Sequence, residues 1–245
     1  MNRKPKKRPS ARPQRVESPR RLKVAAFTAI LRKDLRLELR SGESTLTLVF
    51  LSLLIMTVLT FALNAPAGDA ATAAGALWVA MIFAGTIGAA RGLIVEWENG
   101  CIRALLLSPA DRAAIYCAKL VASFVFMALA EIAAIVLMVL FFNLDFGIRL
   151  IRLAPVLAMG ALGFAALATL LATIQVRIRA GDLLLPLLTV PVFVPALIAG
   201  VKASNAALAG LPFDAFTQWL KILAACDILF LAAGYLLFEH VIGED

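Results

Sequence analysis

The sequence predicts an all-α integral membrane protein, with six transmembrane helices preceded by an amphipathic interfacial helix. Three observations carry this. Hydrophobic residues make up 62% of the 245 residues and charged residues only 16%, with a mean hydropathy of +0.90; soluble domains run at about 45–50% and about 25%. Apolar runs recur at lengths close to the ~20 residues that cross ~30 Å of hydrocarbon. Charge is segregated: 14 of the 24 Lys and Arg residues precede Ser41. The net charge of +8 therefore describes a basic head on an apolar body.

Taken in order, residues 1–21 combine four prolines with dense positive charge and lack the apolar residues a core needs, so they read as a solvated cytoplasmic tail drawn to anionic headgroups. The tail has no aromatic interleaving, which argues against single-stranded nucleic acid as a partner. Residues 22–42 have helical period. Phe27, Leu31, Leu35 and Leu39 recur at i+4, and Arg32, Arg36 and Arg40 form a separate ridge suited to anchoring at phosphates. Ser41-Gly42 ends this segment.

The membrane domain, 43–245, follows. The six spans fall near 45–63, 74–93, 120–142, 154–176, 183–201 and 221–239. Gly85, Gly88 and Gly92 in the second span, and Gly160 and Gly163 in the fourth, allow close helix approach. Pro186, Pro191 and Pro195 predict a kinked or broken fifth span. FDAFTQWLK, residues 213–221, predicts a short outer interfacial helix with Trp219 as an anchor. With the N-terminus inside, the cytoplasmic segments and the inner end of span two collect twenty Lys and Arg against four on the outer side. Both termini are therefore expected in the cytoplasm.

Two acids fall at bilayer depth. Glu131 lies mid-way along the third span and Asp227 within the sixth. Ionisable groups there cost about 2.5–3.5 kcal/mol on insertion scales and mark either a path or a packing contact. Tyr116, Tyr235, Cys117 and Cys226 read as packing side chains. Cys101, Cys117 and Cys226 have no zinc spacing and His240 is the sole histidine, so no metal site is expected and no histidine triad is available. The chain has no GxxxxGK[ST] loop, no Ser-Lys pair and no HExxH, so an enzymatic role is not expected.

The loop between spans two and three, residues 94–119, is the most informative stretch. Glu96 and Glu98 precede Gly100, an amphipathic segment runs from Ile102 to Leu107, and Ser108-Pro109 turns the chain into a second helix capped by Ser108 or Asp111. This order, E-x-E-x-G, then L-L-x-S-P, then Arg and Lys, resembles the corresponding loop of ABC-2-type permeases. More narrowly, Leu31–Arg40, the Leu77-Trp78-Val79-Ala80 stretch and Thr173–Gly200 resemble the CcmB family, permease subunits of haem-exporting ABC complexes in cytochrome c maturation. The similarity runs over about residues 27–240.

That resemblance implies an ABC-2 (type V-like) architecture in a bacterial inner membrane. It implies a separate CcmA-like ATPase that binds ATP, with Glu96, Glu98, Gly100, Leu107, Ser108 and Pro109 forming the coupling contact. Arg177 and Arg179 sit on the second inner loop, more simply as positive-inside anchors. A CcmC-like membrane subunit and a CcmE-like haem chaperone are the further implied partners. Haem is then cargo of the complex, with no cofactor held by this chain itself. Two other functions stay open: a generic ABC-2 exporter of a lipid or hydrophobic substrate, and a membrane scaffold coupling ATP to release of a haem chaperone.

Overall fold

The structure, a computed structural model, describes residues 27–36, 43–64, 66, 68–98, 112–143, 147–178 and 184–243. Among them are seven helices: α1 (27–36), α2 (Glu43–Ala62), α3 (Ala70–Glu98), α4 (Arg112–Phe142), α5 (Ile148–Ile178), α6 (Leu184–Leu208) and α7 (Phe213–Gly243). The helices from α3 to α7 are long and apolar enough to span a bilayer. α2 has 20 residues, of which Val49–Ala62 form its apolar stretch. A 20-residue helix rises ~30 Å.

Short connections α2–α3, α4–α5 and α6–α7 gather at one end of the bundle, and their chemistry shows why the helices stop there. Asn64 and Asn143 adopt the left-handed conformation (φ 45° and 49°), which asparagine tolerates better than most residues. Gly210 (φ 69°) closes α6 in a Schellman motif: Leu211 N–H donates to Ala206 O at 3.0 Å and Gly210 N–H to Ala207 O at 3.4 Å. Pro212 then prevents continuation. Asp69 caps α3, accepting from Ala71 N–H at 3.1 Å and from the Thr72 hydroxyl. The Thr72 hydrogen bond holds the Asp69 carboxyl below its ordinary range. The loops also tie together. Gly68 N–H donates to Phe142 O at 2.8 Å, and Arg152 reaches Leu211 O at 3.4 Å. The opposite end carries the last turns of α3, α5 and α7 and the first turns of α4 and α6, and is called here the terminal end.

Within the spans, several hydroxyls are satisfied by their own helix. Thr57 donates to Leu53 O, Thr60 to Met56 O and Thr173 to Thr169 O, each at 2.7 Å. α3 and α5 lie mostly inside the bundle, whereas α4 and α7 turn most of their surface outward. The outward surface is apolar, with Phe50, Leu54, Phe61, Leu140 and Leu229 exposed, as lipid contact requires.

Four expectations need correction. The fifth span is not broken: α6 is a continuous helix with Pro191 and Pro195 inside it. The two prolines are four residues apart and both exposed, so their rings share an outer face. Phe193, Ala196 and Ala199 meanwhile pack inward. No separate helix forms at 213–221. No proline or glycine interrupts the chain until Gly234, so the segment is the opening of α7, with Asp214 favourably placed in its first turn. Trp219 packs partly against the bundle core. The apolar stripe of α1 is not left wholly to acyl chains: Ile30 is buried in the core and Phe27 packs beside it. Arg32 and Arg36 point outward as expected, while Arg40 lies outside the described residues. Finally, Tyr116 is buried and Cys226 half-buried, but Tyr235 and Cys117 are exposed, because the positions they take on α7 and α4 face away from neighbouring helices.

Candidate functional site

The terminal end is the first candidate. α3 extends to Glu98, so Glu96 and Glu98 belong to its last turn rather than to a loop beginning at 94. Their side chains lie outside the described residues, as do Gly100, Leu107, Ser108 and Pro109. α4 starts at Arg112, directly after that segment. Two turns further, Lys119 donates to Asp34 Oδ2 at 2.9 Å, and Lys33 stands 3.1 Å from Asp34 Oδ1. Both Asp34 and Lys119 are largely covered, 12% and 15% exposed. The pair braces α1 against the first turns of α4. Any force on residues 99–111 reaches α4 close to this brace. Arg177 is helical, in the last turn of α5, and Arg179 lies outside the described residues.

Such a pair, sheltered but not dry, is worth more than an exposed one, about 1–2 kcal/mol. Lys119→Asp alone is expected to lower the thermal midpoint of the purified protein by several degrees. The double swap Asp34→Lys with Lys119→Asp is expected to recover at least half of that loss. Thermal unfolding in detergent reads both, and an additive double variant would show that the two residues do not act as a pair.

The membrane interior is the second candidate, and here the structure separates residues that the sequence set side by side. Glu131 is 5% exposed and lies on the stripe Met127, Ala130, Ala134 and Met138 of α4. Ala134 and Met138 pack in the cluster formed with Met56 of α2 and Leu77 and Ala80 of α3. Asp227 is 4% exposed on α7 and lies against Gly163 of α5. The two acids therefore occupy different seams. Neither Glu131 Oε1 nor either oxygen of Asp227 has a hydrogen-bond partner among the described residues.

Sequence reasoning missed the centre of the bundle. The Trp78 indole is fully buried, donates to Ser204 Oγ at 2.9 Å, and lies between Gly160 of α5 and Gly200 of α6. Beside it, Phe193 stacks with Trp78 at 6.4 Å and with Phe230 at 5.9 Å, and meets Phe164 edge-on at 5.4 Å. These are favoured aromatic geometries. They join α3, α5, α6 and α7 at mid-depth. The available signal was a tryptophan in the middle of a span, since interfacial belts are where membrane tryptophans usually lie. Among the described residues no group of three metal-ligating side chains forms. His240 is helical in α7 and its side chain lies outside the described residues.

Comparison with known proteins agrees with this architecture. The family model described as CcmB protein matches residues 25–240. A heme exporter protein B of Rhodobacter capsulatus is 30% identical over 203 residues, covering 82% of this chain and 92% of the relative. One from Pseudomonas aeruginosa is 34% identical over 155 residues, covering 62% and 67%. One from Bradyrhizobium diazoefficiens is 28% identical over 218 residues, covering 86% and 94%. With five helices long and apolar enough to span a membrane and a family match over nearly the whole chain, this is a multi-pass membrane protein that belongs to the CcmB family.

Proposed function

We propose that the chain is the membrane permease subunit of a haem-exporting ABC complex, coupled to ATP hydrolysis on a separate CcmA-like subunit. The observation that carries this is the family match over residues 25–240, together with relatives that bear the name heme exporter protein B. The chain lies in the bacterial inner membrane with its terminal end in the cytoplasm, as the Lys and Arg distribution favours. The ATPase docks there on residues 94–119. Glu96 and Glu98 offer acids at a helix end, and Gly100, Leu107, Ser108 and Pro109 form the turn that receives the push. α1 and α4, braced by Asp34 and Lys119, move with it. Chemistry stays on the ATPase, and this subunit supplies no catalytic group. A CcmC-like subunit and a CcmE-like chaperone receive the haem.

The aromatic packing of Trp78, Phe164, Phe193 and Phe230 favours a second reading of the transport step. These rings fill the middle of the chain's own bundle. On that reading the subunit is a scaffold that turns ATP hydrolysis into release of the loaded chaperone, and haem passes beside this chain.

The test is ATPase activity of the ATPase subunit co-expressed with this chain in membranes. Vanadate-sensitive activity is expected only when both are present, and Glu96→Ala or Pro109→Ala is expected to reduce it at least tenfold. Unchanged activity and unchanged co-purification in both variants would refute the docking assignment. A deletion that leaves haem-protein maturation intact would favour a generic lipid exporter instead.

A further inference from the structure

Glu131, Tyr116, Thr189 and Asp227 each leave a buried oxygen unpartnered among the described residues, and Asp227 alone of these leaves two. Trp78 has Ser204, Thr86 has its own helix, and Asp34 has Lys119. Asp227 sits near the middle of α7, 4% exposed, with both carboxyl oxygens unpartnered among the described residues. α5 approaches it only because residue 163 is glycine: a Cβ there would overlap Oδ1 and stand 3.2 Å from Cγ. Phe230, one turn along α7, closes the site from the terminal side and would stand 3.6 Å from the same Cβ.

Among the described residues no cation faces this carboxyl. On α5, Arg149 and Arg152 lie at the short-loop end, Arg152 about 16 Å of helix rise from Gly163. On α6, Lys202 is exposed and nine residues, about 13 Å, from Phe193, the aromatic side chain stacked on Phe230. The Thr189 hydroxyl is one turn from Phe193 on the other side. On α4, which meets α7 further along, the Tyr116 hydroxyl lies against Gly234, Lys119 is committed to Asp34, Arg112 is in the opening turn and Glu131 faces the other seam. On α7 itself, Cys226 is adjacent, Lys221 is exposed six residues away and Asp214 is in the first turn. A bare carboxylate in such surroundings pays a desolvation cost that nothing offsets.

We propose that Asp227 is an intramembrane proton-binding site, kept dry by the approach of α5 at Gly163. While α5 and α7 are in contact the side chain is the neutral acid. When the seam parts, water reaches it and the O–H bond breaks, leaving the carboxylate and passing the proton to water. Helix separation and proton release are thereby one linked equilibrium.

The experiment uses membranes containing the full chain. Dicyclohexylcarbodiimide, a membrane-soluble reagent, reacts with a neutral carboxylic acid: the acid proton goes to one nitrogen, the carboxyl oxygen adds to the central carbon, and an acyl shift leaves a stable N-acylurea. At pH 7 the peptide carrying Asp227 is expected to gain this adduct, at least tenfold more than with a water-soluble carbodiimide, and Asp227→Asn is expected to abolish it. Equal modification by the two reagents would overturn the proposal. So would absence of the adduct from native membranes when the same chain, unfolded in detergent at pH 5, acquires it. Thermal unfolding gives an independent readout. Asp227→Asn mimics the neutral acid and is expected to keep the midpoint within about 2 °C, whereas a loss as large as that of Asp227→Ala would overturn the assignment.

Discussion

Gly200→Ala is expected to reduce the amount of folded protein in the membrane at least fivefold. An added Cβ would overlap ring atoms of the Trp78 indole. The ring has no room to move. On its other face a Cβ at Gly160 would already stand 2.5 Å from Cη2, and Nε1 is held by Ser204 at 2.9 Å. Overpacking in a close-packed interior costs about 1–3 kcal/mol or more, and here the obstacle is a rigid ring rather than the flexible end of a side chain. Trp78→Ala acts in the opposite sense, leaving a cavity and an unpartnered Ser204. Soluble cores lose about 3–5 kcal/mol for this change, and the loss in a bilayer is about 2–3 kcal/mol because lipid is as apolar as the interior. The two defects offset: Gly200→Ala with Trp78→Leu is expected to accumulate better than Gly200→Ala alone. Gly75→Ala is the control. Nothing lies within 4 Å of its added Cβ, so removing a helical glycine there leaves stability unchanged or raises it by about 0.5–1 kcal/mol. Membrane levels and thermal midpoints in detergent read the whole series.

Most of the fold was legible because bilayer thickness is a length scale that a sequence displays directly. The apolar runs at 74–93 and 120–142 lie within α3 and α4, and 154–176 lies within α5. Helix ends were less legible, because hydropathy reports the hydrocarbon and not the helix. α3 continues past Gly92 to Glu98, and α7 begins at Phe213, eight residues before the apolar run. Pro191 and Pro195 do not break the fifth span: the helix runs through both, and four-residue spacing puts both rings on the outside. The site divided in the same way. Glu131 and Asp227 stood out as acids in an apolar run, which composition alone reveals. That they occupy different seams follows from which helix each faces, and no periodicity within α4 or α7 contains that. The contacts of Trp78 with Gly160 and Gly200 are likewise relations between distant segments, as is the Asp34–Lys119 pair. Gly100, Leu107, Ser108 and Pro109 were named by resemblance and lie outside the described residues.

Gly163→Ala is expected to be comparably damaging, and its rescue separates helix approach from every other role of the residue. The added Cβ would overlap Oδ1 of Asp227, and Phe230 stands close behind. Asp227 is buried, so its carboxyl cannot swing into solvent as an exposed side chain would. α5 and α7 must instead move apart, although α7 is also held to α6 by the Phe193–Phe230 stack at 5.9 Å. Separation gives up close helix and aromatic packing, and the cost is about 1–3 kcal/mol. The variant is therefore expected to lose at least 5 °C in thermal midpoint. Asp227→Ala removes the atoms that the Cβ would strike, so the double variant Gly163→Ala with Asp227→Ala is expected to unfold above the Gly163→Ala single variant. A rescue of this kind requires that the two side chains contend for the same volume. If the double variant were instead the less stable by the sum of the two single losses, Gly163 and Asp227 would be independent, and α5 would owe its close approach to the aromatic packing alone.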